Sequence, residues 1–372
     1  MVRNKKKWLI ITGLVICVLA ISLPLSACQP ESAPTPAPVP MPTPTGPAPA
    51  PAPEVYKFRM QTLSVTQDPT HSKDAAAFVE RAKALSNGAI DITLFPVNEI
   101  VPMFEMFDAV EAGSLDISLS YGGWWAGKLG PASEVDSGLP VGVRNAVEID
   151  SLYFSEDIPG RPWLEIIREV YAKGGVQYIG PVFGGSATIV SNKPLDKISD
   201  FQGFKTMESA AEAKYYQMLG AKTVSLPAPE LYTSLSTGVV DGIGWAGPAK
   251  MYGTFKLMEI AQYIQWPAIA HTRLNVMMNM DKWNELPDNL KRVLEEACRI
   301  LFFEYGERGY NLDIQWIGKA QQEYGVKITG IPMEERWPYA KQLRDEYAAS
   351  DPLAKEMLDR EEAYLKILGY IK

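Results

Sequence analysis

From residue 55 to residue 121 the sequence alternates short apolar strands with amphipathic helical stretches, and that alternation leaves few architectures open. VYKFRMQTL (55–63) reads as a strand, and Ala75, Ala76, Phe78, Val79 and Ala82 share one face of a helix from about Ser72 to Leu85. Asp68 and His71 belong to the start of that helix. Asn87-Gly88 ends it, because glycine adopts the left-handed cap conformation without a steric penalty. AIDITLFP (89–96) and LDISLSY (115–121) follow as strands, with a short helix over 102–112 between them. A β-α-β-α-β series predicts a mostly parallel sheet covered by helices. It breaks at Tyr121-Gly122-Gly123-Trp124-Trp125, where aromatic side chains stand in place of turn residues.

A second series opens near Val176. VQYIG (176–180), ATIVSN (187–192) and FKTM (204–207) read as strands, a helix runs from about Ala210 to Leu219, and TVSL (223–226) follows. A helix over 229–238 leads to VVDGIGW (239–245), and strand-like runs recur at 263–266 and 273–280. From Pro287 the apolar spacing of Leu290, Val293, Leu294, Ala297, Ile300 and Leu301 predicts helix to the end of the chain. The 319 residues of 54–372 suffice for two lobes with separate cores. The expected fold is α/β and two-lobed, like a periplasmic binding protein, with a ligand clasped in the cleft between the lobes. Its parts are a first lobe over 55–182, a second over 183–280, and C-terminal helices over 281–372 bracing both.

Ahead of these lobes, a basic start (Arg3, Lys5, Lys6, Lys7) precedes an apolar run of 16 residues, WLIITGLVICVLAISL. That is shorter than the roughly 20 residues a spanning helix needs. With Leu25-Ser26-Ala27-Cys28 behind it, the segment reads as an export signal (1–27) ending at a cysteine whose thiol can carry a lipid. An uncleaved anchor helix is the alternative. Residues 28–54 are rich in Pro and Ala and nearly uncharged, so they form a polyproline-like tether rather than a core. At about 3.1 Å per residue it reaches on the order of 75 Å. Both readings place the body outside the cytoplasm, at a membrane.

Charge and composition exclude several classes. Without the four basic residues of the signal, 32 basic side chains face 44 acidic ones. No basic run follows residue 7, which argues against nucleic acid and against anionic lipid surfaces. Of three cysteines, Cys17 lies in the signal, Cys28 at the lipid site, and Cys298 in a helical pattern where it reads as a small buried apolar group. His71 and His271 have no ligand-like spacing around them, so metalloenzyme and Ser-His hydrolase readings have no support. No enzyme, cofactor or metal site is expected.

Residues 198–264 carry an ordered set of motifs: Asp200-x-x-Gly203-x-Lys205, Leu219-Gly220-Ala221, Pro229-Glu230-x-Tyr232 and Gly238-x-Val240-Asp241-Gly242. Their order and spacing resemble the solute-binding proteins of TRAP transporters, the DctP family. Trp245-Ala246-Gly247-Pro248 resembles its 2-oxo acid-binding subgroup, as does FPVNEIVPMFEMFDAVEAGSLDISLSYGGWWAGKLGP in the first lobe. The resemblance covers nearly all of residues 55–325. It implies a hinge-closing binding protein that delivers a solute to membrane subunits.

Two positions depart from the family. The strand Arg that clamps a ligand carboxylate there is Met207 here, and the subgroup's metal-holding Glu before the Trp is Gly244. The joint loss predicts a pocket retuned to a less charged, larger or more apolar solute. Tyr121, Trp124, Trp125 and Trp245 stand at strand ends, where open α/β sheets gather ligands; the competing reading for them is lobe core. Phe183 and Ser186 are candidates at the hinge, Met207 on its strand, and Asn275 as a pocket amide. His271 and Arg273 offer positive charge from a new direction, and Arg59 a further donor. Lys205 reads as a solvated surface lysine. The expected protein is an exported lipoprotein anchored through Cys28, capturing a bulky or aromatic organic acid for TRAP membrane subunits. A ligand-sensing receptor, and a binder of a simple 2-oxo acid or a neutral aromatic compound, are the alternatives.

Overall fold

The computed structural model describes residues 54–64, 71–226 and 230–372. The signal, Cys28, nearly all of the tether, Asp68 and Pro229 lie outside the described residues, as do the side chains of His71 and Ser72. No helix among the described residues is long and apolar enough to cross a membrane.

Along the chain, β1 (Tyr56–Thr62), α1 (His71–Leu85), β2 (Ile90–Phe95), α2 (Met106–Glu111) and β3 (Ile117–Ser120) realise the first alternating series. A 3-10 turn over Gly122–Trp125 leads into α3 (Ala126–Leu129), α4 (Ala132–Ser137), α5 (Ala146–Phe154) and α6 (Trp163–Lys173). These four helices were not anticipated from the sequence. β4 (Val176–Ala187), β5 (Val190–Ser191), β6 (Lys205–Met207), α7 (Ala210–Met218), β7 (Lys222–Val224), α8 (Leu231–Ser236), β8 (Gly242–Ile243), α9 (Pro248–Gly253) and β9 (Tyr263–Gln265) form the second series. β10 (Ala270–Asn279), α10 (Met280–Glu285), α11 (Asp288–Tyr324), β11 (Lys327–Thr329), α12 (Met333–Ser350) and α13 (Pro352–Ile367) complete the chain.

Two sheets result. The first has the order β2-β1-β3-β10-β4, with β1 parallel to β2 and β3, and β10 antiparallel to β3 and β4. The second has the order β11-β9-β5-β8-β6-β7. Three expectations need correcting. The strand expected at 176–180 runs on as β4 through Gly184-Gly185 to Ala187, and of the strand expected at 187–192 only Val190–Ser191 forms β5, in the other sheet. β10 does not belong with the second lobe, to which 183–280 was assigned. Its ladder runs from Ala270↔Ala187 to Asn279↔Val176, because its alternate apolar residues Leu274, Val276 and Met278 complete the first core. The tail is not helical throughout, since β11 leaves α11 to extend the second sheet parallel to β9.

Period-2 burial accounts for the first core: Phe58 and Met60 of β1 point inward with Phe78 of α1, Ile117 and Leu119 of β3, and Leu294 and Leu301 of α11. The second sheet buries Val190, Met207, Ile243 and Ile264, with Leu235 of α8, against Ile317, farther along the same helix. At 37 residues α11 is about 55 Å long, enough to pack on α1 and β4 at one end and on α9 at the other. α13 lies on α4, α5 and α6, while α12 lies against both α13 and α7.

Candidate functional site

The carboxyl ends of β3, β6 and β8 converge where α7 abuts the 3-10 turn of the first lobe. That turn needs its glycines. A Cβ on Gly122 would sit 2.7 Å from the Tyr171 hydroxyl and 2.9 Å from Asn275 Nδ2, and one on Gly123 would sit 2.6 Å from the Tyr121 ring. The close approach separates the two tryptophans that follow. Trp124 stays partly exposed, edge-on to Tyr121 (5.6 Å between ring centres) and to Phe104 (5.1 Å). Trp125 turns inward against Phe107 (5.8 Å) and belongs to the core.

The other expected residues divide in the same way. Phe183 packs among Phe302, Tyr305 and His271 within about 6 Å and is core at the crossing strand β4. Ser186 faces Asp313 of α11. Met207 is fully buried in the second core, so the thioether lines that core rather than a cleft. Trp245 is half-buried over the same core. Asn275 is fully buried and engaged within the first lobe: its Nδ2 donates to the Tyr171 hydroxyl (2.8 Å), and its Oδ1 accepts from Ser120 Oγ (3.3 Å).

Arg273 is no carboxylate clamp. Its guanidinium donates to the carbonyls of Asp136 (2.6 Å), Val135 (2.7 Å) and His271 (3.3 Å) and lies over the Trp163 ring. A cation there satisfies the orphan carbonyls at the end of α4 and matches the sign of the helix dipole. Burial, and then Arg273, lower the His271 pKa to about 4, so that imidazole is neutral. Lys205 lies on the surface and donates to the Gly238 carbonyl (2.8 Å), and Arg59 pairs with Asp116 at 3.5 Å while remaining half-exposed.

What sequence reasoning missed is acidic. Glu208 follows β6 directly, and Glu212 lies one turn into α7; they are only 5% and 7% exposed. Oε1 of each has no hydrogen-bond partner, and neither does Nε2 of Gln265, whose Oε1 accepts from the Tyr216 hydroxyl. Between the two acids Ala210 holds φ at 48°, a strained value for a residue with a side chain, of the kind that collects at functional sites. Burial, and then the charge of Glu212, push the Glu208 carboxyl well above the usual range. Burial raises Glu212 to about 7, with Glu134 adding to the rise. Burial, and then Glu212 and Glu134, also raise the Tyr121 phenol.

The Glu208 carboxyl occupies the space that a side chain at position 244 would take. A Cβ built on Gly244 would fall 1.9 Å from Glu208 Oε1, so the bare backbone of β8 is the seat of the β6 carboxyl. The signal in sequence was the pairing of an acid at 208 with a glycine at 244, and only the adjacency of β6 and β8 gives that pairing meaning.

At the rim, Glu134 of α4 accepts from the Tyr347 hydroxyl of α12, and Lys214 of α7 donates to the same hydroxyl (2.9 Å). This triad joins the first lobe, the tail and the second lobe. Near the hinge, Asp313 Oδ1 accepts from the Ala249 amide (2.9 Å) at the start of α9. A hollow of about 290 Å³ lined by Met258, Tyr263, Tyr324 and Lys327 lies at the far end of α11 and contains none of the expected residues. No group of three or more His, Cys, Asp or Glu among the described residues is arranged to hold a metal ion. Cys298 is buried against the Gly180 carbonyl, and burial raises its thiol pKa.

Comparison with known proteins shows the family and the fold. A monocarboxylate 2-oxoacid-binding periplasmic protein of Nostoc sp. is 26% identical over 226 residues, and the match spans 60% of each chain. Among solved structures, a TRAP periplasmic solute-binding protein of Rhodobacter sphaeroides in an apo open form superposes with a TM-score of 0.69 at 25% identity, over 84% of this chain and 99% of that one. One of Colwellia psychrerythraea with bound calcium and pyruvate superposes at 0.75 and 22% identity, over 85% and 96%. The family model described as bacterial extracellular solute-binding protein, family 7, matches residues 63–351. The chain therefore belongs to extracellular solute-binding protein family 7, the DctP family.

Proposed function

We propose that this protein captures a small organic solute between its lobes and delivers it to TRAP-type membrane subunits, tethered to the membrane by a lipid on Cys28. The observation that carries the reading is the meeting of Tyr121 and the aromatic turn of the first lobe with Glu212 and α7 of the second, under a tail that packs on both. An aromatic wall and a few convergent polar groups suit a bulky or aromatic solute, since apolar contact supplies affinity and placed polar groups set orientation.

The sequence favoured an organic acid of low charge. The residues refine that expectation. Arg273, the cation beside Glu212, already has three carbonyl partners, so a plain carboxylate would enter an acidic site without a free counter-charge. An acid group on the solute is best accommodated protonated, or offset by a positive charge on the same molecule.

The test is thermal unfolding of the purified chain, stripped of copurified ligand, against organic acids, amines and neutral aromatics, each with and without calcium. A solute at 100 times its Kd adds about 2.7 kcal/mol, which raises Tm by several degrees. Stabilisation only by small 2-oxo acids with calcium would overturn the reading of the retuned pocket. Absence of the lipid mass on a tryptic peptide containing Cys28 would overturn the anchor.

A further inference from the structure

We infer that the captured solute carries a protonated amino group, which docks between the carboxylates of Glu208 and Glu212 while the rest of the molecule lies against Tyr121 and Trp124. This rests on the solute-capture reading above and names the class of solute.

Two buried acids alone would not make a site, since folds tolerate neutralised carboxyls. Independent observations point to an occupant. Glu208 Oε1 and Glu212 Oε1 have no partner, though the residues are nine-tenths buried or more. Buried polar atoms in folded proteins are hydrogen-bonded with few exceptions, and each exception calls for a reason. The side-chain amide of Gln265, 1% exposed, also leaves its Nε2 unpartnered, a donor that calls for an acceptor elsewhere on the solute, and Tyr216 joins it to Glu208: the Tyr216 hydroxyl donates to Gln265 Oε1, and Glu208 is the foremost charge acting on that phenol. Gly244 leaves the space that the Glu208 carboxyl occupies.

The sign follows from the neighbours. Glu212 faces Glu134 of α4, Tyr121 after β3, Arg273 of β10 and Tyr347 of α12, with Glu208 ahead of it on its own segment. Of the neighbouring cations, Arg273 is taken by carbonyls and Lys214 at the rim by Glu134 and Tyr347, while Arg336 of α12 acts on the Tyr216 phenol. An entering ammonium brings three donors to acceptors that have none, and it lies beside aromatic faces that favour a cation. A bare divalent ion fits less well, because no third acid completes its shell among the described residues.

The experiment uses matched probes on the purified full chain: phenethylamine, phenylalanine, 3-phenylpropionate and 2-phenylethanol, with aliphatic scaffolds in the same amine, acid and alcohol forms, and calcium chloride alone. Calorimetry and thermal unfolding are read for wild type, Glu208→Gln and Glu212→Gln. The expected result is at least tenfold tighter binding of the amine-bearing member of a scaffold than of its acid or alcohol. Amine affinity should rise from pH 6 to pH 8 as the carboxyls ionise, and both variants should lose the preference while unfolding as cooperatively as wild type. Each variant removes a buried, unpaired acid, so folding should survive; if one fails to fold, the other and the wild-type pH profile still decide. Tighter binding of acids, calcium-dependent binding, or amine affinity unchanged in both variants overturns the inference and leaves solute capture standing. No stabilisation by any probe class overturns both.

Discussion

Asp313 permits a quantitative test of the hinge. It sits on α11, 3% exposed, and its carboxyl takes the Ala249 amide and faces Ser186, so it joins the tail helix to α9 of the second lobe and to the crossing strand β4. Burial outweighs these hydrogen bonds and raises its pKa from 3.8 to about 6. A carboxyl raised in the folded state holds its proton there after the unfolded chain has released it. Stability from this group is therefore full below about pH 4 and is lost as pH rises toward 6. At 1.36 kcal/mol per unit, a shift of this size corresponds to about 3 kcal/mol. Asp313→Asn keeps an oxygen for the Ala249 amide and cannot ionise. Urea unfolding of both proteins from pH 4 to pH 8 should give a difference curve in which wild type loses about 3 kcal/mol relative to the variant by pH 7. Asp136, raised to about 6, and Glu212, raised to about 7, titrate in the same direction, and His271, lowered to about 4, in the opposite one. All three are common to both proteins and cancel in the difference. A flat difference curve, or one in which wild type gains with pH, would refute the assignment of a buried, proton-holding Asp313.

Other expectations follow from named contacts. Gly244→Ala should cost about 1–3 kcal/mol through its clash with Glu208 Oε1, and Glu208→Ala in the same chain should recover most of it in a double-mutant cycle. Trp125→Ala should destabilise the fold by about 3–5 kcal/mol in denaturant titrations. Trp124→Ala, at a partly exposed indole packed on both cores, should cost less stability than Trp125→Ala and weaken binding of aromatic solutes measured by calorimetry. Arg273→Met should cost about 2–4 kcal/mol by stranding the carbonyls of Val135 and Asp136, without changing which charge class of solute binds. Tyr347→Phe removes the hydroxyl shared by Glu134 and Lys214, and should cost about 1–2 kcal/mol and widen the ligand-free particle in small-angle scattering.

Legibility in sequence followed the range of the interaction involved. The alternating apolar periods located β1, α1, β2 and β3 to within a residue or two, because each period is set by neighbours a few positions away. The short helices α3 to α5 carry little periodicity, whereas α6, with Trp163, Ile166, Ile167, Val170 and Tyr171 at helical spacing, was legible and overlooked; distant partners also hold it, since Trp163 Nε1 donates to the Met357 carbonyl of α13. Strand alternation put Arg273 and Asn275 on one face, but it could not tell a ligand cavity from the end of α4 or the Tyr171 hydroxyl. The Gly-Gly-Trp-Trp turn was recognised, whereas the different fates of its two indoles depend on Phe107 in the first turn of α2 and Phe104 just ahead of it, one buried and the other exposed.

By itself the sequence determined the family and the α/β alternation, and it marked two positions, 207 and 244, where the resemblance implies charged anchors and this chain has none, since these are matters of residue type and spacing. Only the tertiary structure decided what replaced them. It took β10 out of the second lobe, closed Arg273 and Asn275 inside the first, and set the Glu208 carboxyl on the backbone of Gly244, 36 positions along the chain. The physical reason is that a buried charge is defined by its surroundings. Whether a carboxyl is solvated, paired or left waiting for a ligand depends on which distant strands lie beside it, and no local pattern encodes that.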